Sequence, residues 1–217
     1  MKILKKLLGK LIRILYRFVY RFIPCQEKTI LFISFHGRGY SDNPMAIHQY
    51  LSKHSQYADY RCIYAIKNHK QKKLKIENAR IIEYFSIAYF FYLARSKYWI
   101  ANCKLPKYVL KKDSQVYLQT WHGTPLKKLA HDIEVPEGTT FYRSEMSVEE
   151  MRSTYDNDVS KYNYMISPSA FTTEVFQSAF AIERERLIET GYPRNDILSN
   201  YNSDDIKKIK DKLNLPE

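Results

Sequence analysis

Basic side chains at Lys2, Lys6, Lys10, Arg13, Arg17 and Arg21 follow one another at steps of three or four residues, which gathers all six on one face of a helix. Leu4, Leu8, Leu11, Leu15, Phe18 and Phe22 run along another face, Tyr16 and Tyr20 fall at the boundary between the two, and Pro24 stops the pattern. After Pro24 the period changes. Thr29–Phe35 is an unbroken apolar run of strand length, as a buried parallel strand requires. It is followed by a helix that starts near Asp42 or Asn43, ahead of Pro44, and reaches about His54. Further strands are predicted at 61–66, 80–84, 98–102, 116–119 and 164–167, and helices at 86–94, around 148–155, at 169–180 and at 203–213. A charged stretch from Lys67 to Lys75 reads as a solvated connection. Strands alternating with helices predict a Rossmann-like parallel sheet flanked by helices, in which ligands bind at the carboxyl ends of the strands.

Charge changes the picture of the amino terminus. The net charge of the 217 residues is +12, yet seven of the 35 Lys and Arg residues lie in the first 23 positions with no acid among them, and without that segment the charge falls to +5. A body so mildly basic argues against a nucleic-acid groove, which needs a basic face on the folded domain. The segment itself contains no long apolar run, so it is neither a membrane span nor a secretory core. It reads as an amphipathic helix lying in the plane of an anionic membrane surface; the alternative is a helix packed on the body with a solvated basic face. The three cysteines, Cys25, Cys62 and Cys103, have neither metal-ligand nor redox spacing.

Candidate chemistry concentrates in two loops. Gln119–Lys128, with the core Trp121-His122-Gly123-Thr124-Pro125, follows the strand at 116–119 and leads into a segment that can be helical. Gly123 allows a tight backbone there, and Pro125 suits the first turn of a helix. The free amides of such a turn, with Lys127 and Lys128, attract an anion. His122 suits a general base because imidazole titrates near neutrality; the plain alternative is a structural histidine in a loop. His36-Gly37-Arg38-Gly39 follows the first strand, with Arg38 as a phosphate contact, and Ser41–Pro44 reads as a helix cap. Gly191–Asp196 is a rigid turn whose Arg194 reaches a phosphate or pairs with Asp196. His48, His54, His69 and His131 have no partner that spacing identifies.

Four segments in this order, Ser34–Pro44, Tyr98–Asn102, Gln119–Lys128 and Gly191–Asp196, resemble the CDP-glycerol:poly(glycerophosphate) glycerophosphotransferases, the teichoic acid primases and polymerases of Gram-positive bacteria. The resemblance covers about residues 28–200. It implies the amino-terminal half of a GT-B-like pair of Rossmann-type domains, with a membrane-surface helix over 1–26, an acceptor-side domain over 27–200 and the start of an interdomain segment over 201–217. It also implies transfer of glycerol phosphate, or ribitol phosphate, from CDP-glycerol or CDP-ribitol to a lipid-linked acceptor at the cytoplasmic face of the membrane. His122 is the implied base. Gly37, Arg38, Gly39, Gly123, Thr124, Lys127, Lys128 and Arg194 are the expected substrate and phosphate contacts, and no metal or other cofactor is implied. The donor domain is expected to be absent from these residues, supplied if at all by a separate carboxyl-terminal half, and the chain alone is expected to be inactive. A GT-B glycosyltransferase using a nucleotide sugar, and a non-catalytic membrane-bound adaptor, remain as alternatives.

Overall fold

The computed structural model describes residues 2–70, 73–134 and 146–216, and for residues 2–9 and 12 the backbone alone. The side chains of Lys2 and Lys6, and Gln71 and Lys72 of the charged connection, therefore lie outside the described residues. Seven strands form one parallel sheet: β1 (Gln26–Ile33), β2 (Arg61–Ile66), β3 (Ala79–Glu83), β4 (Ser96–Ala101), β5 (Val116–Gln119), β6 (Tyr164–Ser167) and β7 (Leu187–Glu189). Their spatial order is β3-β2-β1-β4-β5-β6-β7. The chain winds outward from β1 to one edge, then returns to β4 and winds to the other. The gap between the carboxyl ends of β1 and β4 is thus the topological switch point, where such sheets open a crevice for ligands. Register sets Ile33 beside Ala101 and Ala101 beside Gln119, so the loops after β1, β4 and β5 emerge together.

Both faces of the sheet are covered, which is why the strands read as continuous apolar runs. On one face Leu31, Ile33, Ile63, Trp99 and Tyr117 pack with Tyr89 and Leu93 of α3 (Ile87–Arg95) and Phe176 and Phe180 of α5 (Ala170–Phe180). On the other, Ile30, Phe32, Tyr64 and Ile66 pack with Ile47 and Leu51 of α2 (Asp42–Lys53). Side-chain caps mark the helix starts: Ser86 before α3, Ser169 before α5, and capping boxes at Ser147/Glu150 for α4 (Val148–Val159) and Asn202/Asp205 for the last helix (Ser203–Leu213).

The amino-terminal helix α1 (Lys2–Val19) is shorter than the periodicity predicts, ending in a turn before Pro24. It is seated on the body by one seam. Tyr16 is buried, its hydroxyl donates to Leu110 O at 2.9 Å, and its ring lies 5.2 Å from that of Phe90. Arg13 turns inward over the Tyr108 ring. Tyr16 is therefore a docking residue rather than a boundary one, because a carbonyl and two aromatic neighbours satisfy both ends of its side chain. Leu11, Ile14, Leu15, Phe18 and Phe22 stay exposed on the side away from that seam, with Lys10, Arg17 and Arg21 beside them. Among the described residues no helix is long and apolar enough to cross a membrane.

One buried acid makes the fold sensitive to pH. Asp158, at the end of α4, is 1% exposed and accepts from Leu105 N at 3.0 Å and from the Tyr162 hydroxyl. Burial raises its carboxyl from the ordinary 3.8 to about 6, and those hydrogen bonds oppose the rise without cancelling it. A folded-state pKa above the unfolded one means that the native state holds the proton more tightly. Stability is then highest below pH 4 as far as this group is concerned and is lost as pH rises towards 6, by about 3 kcal/mol at most. Urea melts between pH 4 and 7 should show that slope, and Asp158→Asn should flatten it.

Candidate active site

The backbone at the switch point adopts conformations that most residues avoid. After β1, Phe35, His36 and Gly37 are all left-handed, with φ of 44°, 55° and 80°. Gly37 has a second reason to be glycine: a Cβ there would come within 2.7 Å of Tyr84 Cβ. Side chains hold the loop in place. Phe35 N donates to Asn102 Oδ1 at 2.8 Å, and Ser34 Oγ donates to Ser41 O at 2.9 Å. Trp121 after β5 is left-handed too, at φ 51°, with its amide bonded to Gln119 Oε1 at 3.0 Å and its indole against Phe180. Non-glycine residues in this region cost energy that the surroundings must offset.

A polar network runs beneath these loops and ties four distant stretches together. Asn43 is fully buried and donates from Nδ2 to Thr120 O and Trp121 O, each at 3.2 Å, while its Oδ1 accepts from Arg194 N at 3.2 Å. Asp42 begins α2 at φ 62° with its side chain 5% exposed, and it accepts from Asn102 Nδ2 and from Arg194 Nη1. Arg194 Nη1 also donates to His122 O at 2.9 Å. Gly191, at φ 82°, turns the chain ahead of Arg194.

This network presents the His122 ring in a defined state. Its Nδ1 lies 2.6 Å from Asn102 O. A carbonyl can only accept, so Nδ1 carries the hydrogen and the neutral ring keeps its lone pair on Nε2. The ring stacks on Trp121 at 4.5 Å between centroids and meets the edge of Phe35 at 5.9 Å, and the residue is exposed. An imidazole fixed at one nitrogen, open at the other and sited at the switch point can take a proton from a bound hydroxyl. Among the described residues no three His, Cys, Asp or Glu side chains cluster as metal ligands.

The other predicted site residues fall into two groups. Gly37, Arg38 and Arg194 surround the switch point with His122, but Arg194 pairs with Asp42 rather than Asp196, because the turn at Gly191 aims it back across α2. Thr124, Lys127 and Lys128 are exposed, and Lys128 is paired with Glu134. No helix starts at Pro125: the chain bends through Leu129 to a single turn at Ala130–Asp132. The reason is that Leu126 is 93% exposed, so the segment has no apolar face to bury. The predicted helix amides are thus not there to hold an anion. Gly123 has no strained φ and open space where a Cβ would go, as does Gly39, so neither is glycine for steric reasons. Pro125–Lys128 instead line a separate cavity of about 410 Å³ with Phe171 and Val175. Asn102 and the Asp42–Asn43 pair carry more of the site than their sequence context suggested. A polar residue closing an apolar strand was the available signal for Asn102. Ser41–Pro44 read first as a helix cap and second as a lining of the cleft, and Ser41 makes no side-chain cap bond.

The comparisons with known proteins agree with this fold. Residues 14–217 match the model of the family described as CDP-glycerol:poly(glycerophosphate) glycerophosphotransferase. A teichoic acid poly(glycerol phosphate) polymerase of Staphylococcus epidermidis is 39% identical over 193 residues, which cover 87% of the chain and 25% of that protein. Its counterpart in Bacillus spizizenii is 38% identical over 197 residues, covering 89% of the chain and 48% of that protein. Among solved structures, the wall teichoic acid polymerase TagF, in a His-to-Asn variant soaked with CDPG, superposes with a TM-score of 0.85 at 36% identity. That match covers 95% of the chain and 49% of TagF. The chain thus spans between a quarter and half of the length of these relatives.

Proposed function

The chain belongs to the CDP-glycerol:poly(glycerophosphate) glycerophosphotransferase family, and from that premise we propose that it forms the acceptor side of a teichoic acid glycerol-phosphate transferase. An acceptor hydroxyl sits against His122 Nε2 and gives up its proton there as its oxygen attacks the β-phosphorus of CDP-glycerol. The new O–P bond forms, the bond from that phosphorus to the bridging oxygen breaks, and CMP leaves. The carbonyl of Asn102 then faces an imidazolium whose charge it stabilises through Nδ1–H. The observation that carries this reading is the bond from His122 Nδ1 to Asn102 O, since it leaves the basic nitrogen open at the switch point. The donor's nucleotide is assigned to a second domain of the same architecture, so these residues alone are expected to give little transfer. CDP-ribitol is the other donor consistent with the family.

The acceptor is assigned to a lipid-linked chain at the cytoplasmic face of the membrane, and α1 to the surface beside it. Ile14, Phe18 and Phe22 with Arg17 and Arg21 line one trough of about 480 Å³ along the end of α1 and the turn after it. Exposed apolar side chains flanked by cations suit the boundary between headgroups and acyl chains. The test is to incubate membranes from cells producing the chain joined to a carboxyl-terminal donor domain with labelled CDP-glycerol, CDP-ribitol and UDP-sugars. Incorporation from a CDP-polyol, absent from membranes without the chain, is the expected result; incorporation from UDP-sugars alone overturns the proposal.

A further inference from the structure

Beneath His122 lies a second polar cluster, buried out of reach of any reactant. Gln119 and Asp158 are 0% and 1% exposed, and Tyr117 and Tyr162 are buried with them. The hydrogen-bond directions in this cluster are fixed at its two ends, because backbone amides can only donate. Trp121 N donates to Gln119 Oε1 at 3.0 Å, so Gln119 Nε2 must face the other way. There it donates to the Tyr162 hydroxyl at 3.2 Å, and that hydroxyl in turn donates to Asp158 Oδ2. Leu105 N closes the other end, donating to Asp158 Oδ1 at 3.0 Å. Gln119 Nε2 also reaches Cys103 O at 3.3 Å and the Tyr117 hydroxyl at 3.1 Å. The Tyr117 and Tyr162 rings meet edge to face at 5.0 Å, which holds both hydroxyls in place.

The cluster grips both supports of the His122 ring. One support is Trp121, whose indole stacks on the imidazole at 4.5 Å and whose amide is bonded to Gln119. The other is Asn102 O, the acceptor for Nδ1–H at 2.6 Å. Cys103, held by Gln119, and Leu105, held by Asp158, follow Asn102 in the same loop after β4. A polar cluster in an apolar interior costs desolvation that a hydrocarbon core would avoid. What it supplies is direction. A fully satisfied set of donors and acceptors admits one arrangement, whereas apolar side chains can repack.

We propose that Gln119, Tyr162 and Asp158 are positioning residues for His122, holding the Trp121 face and the Asn102 carbonyl at a fixed separation so that the ring keeps its hydrogen on Nδ1. The use of that ring as a base rests on the proposed function; its positioning by this cluster does not. None of the three touches a reacting atom. Gln119 is the central member because it alone bonds to both loops, and Tyr162 and Asp158 fix its amide against rotation.

The test reads the ring nitrogens of His122 by NMR in the 217-residue chain at about pH 8, where an ordinary imidazole is neutral. The parent is expected to carry its hydrogen on Nδ1. Tyr162→Phe removes the hydroxyl that joins Gln119 to Asp158 and keeps the ring. It should move the tautomer ratio about fivefold towards Nε2–H, the effect of losing one neutral hydrogen bond. Asp158→Asn, which keeps one acceptor oxygen in place of two, should move it the same way. Ile63→Val, a methyl deletion in the buried part of β2, costs comparable stability and should leave the ratio unchanged. The amide spectrum checks that each variant is folded. In membranes carrying the chain joined to a carboxyl-terminal donor domain, Tyr162→Phe should lower kcat about tenfold, with KM for CDP-glycerol near that of the parent. A parent ratio in both cluster variants overturns the proposal, as does an equal change in Ile63→Val. Transfer from CDP-glycerol together with an unchanged ratio in both cluster variants sinks the positioning and leaves the function. A changed ratio in a chain whose membranes use only UDP-sugars does the reverse.

Discussion

Replacing His122 by Ala lowers the rate of glycerol phosphate incorporation by about a hundred- to ten-thousand-fold, the usual contribution of a positioned general base. Two features set this expectation. The base is pre-oriented, because Asn102 O fixes which nitrogen carries the hydrogen, and it is accessible, because the residue is exposed. The ring also stacks on Trp121, so Ala removes packing along with the base. His122→Gln keeps more of that volume but has no basic nitrogen. If proton removal is the function, both variants lose rate alike while donor affinity stays near that of the parent. If the ring serves mainly as packing, Gln retains most of the rate. The measurement is the initial rate of label incorporation from CDP-glycerol by membranes of cells producing the chain joined to a carboxyl-terminal donor domain, at matched protein levels. A loss below threefold in either variant removes His122 from the chemistry.

The sheet was legible because its strands are buried on both faces. β2, β5 and β6 fall where their apolar runs predict, and the last helix spans Ser203–Leu213 as its charge pattern suggests. β7 was not read as a strand. Three residues at the sheet edge, two of them exposed, are too few to establish a period. The helix expected after Pro125 failed for a different reason. Proline and free amides favour a helix start, but helices in proteins are stabilised by a buried face, and Leu126 points to solvent.

The candidate site was legible only in part. His122 and the glycine-bearing loop after β1 stand out because each directly follows an apolar strand, at the carboxyl end where ligands bind in such sheets. The residues that orient them, Asp42, Asn43 and Asn102, do not. Their side chains meet across separations of 60 to 152 residues, and no local pattern reports such a contact. Arg194 shows the same limit. Sequence offered Asp196 as its nearest acid, whereas the left-handed turn at Gly191 delivers it to Asp42.

Arg194→Ala is expected to destabilise the fold by about 3 kcal/mol, at the lower end for breaking a buried ion pair because the guanidinium side of this pair is partly open to water. It leaves Asp42 as a carboxylate 5% exposed, with Asn102 Nδ2 still donating to it. It also removes the donor to His122 O at 2.9 Å. Asp42→Asn alone removes the buried charge but leaves Arg194 to re-pair with water, so its cost is smaller. Combining the two should then cost less than the sum, with a coupling of about 1–3 kcal/mol in a double-mutant cycle from urea melts. A coupling near zero would mean that the pair is not formed in solution. The network also predicts how activity responds. The backbone at Phe35, His36, Asp42 and Trp121 is strained, and Arg194 helps to hold two of the loops that carry that strain. Its loss should slow transfer under conditions in which the variant is still folded, whereas a purely structural role would leave the folded fraction fully active.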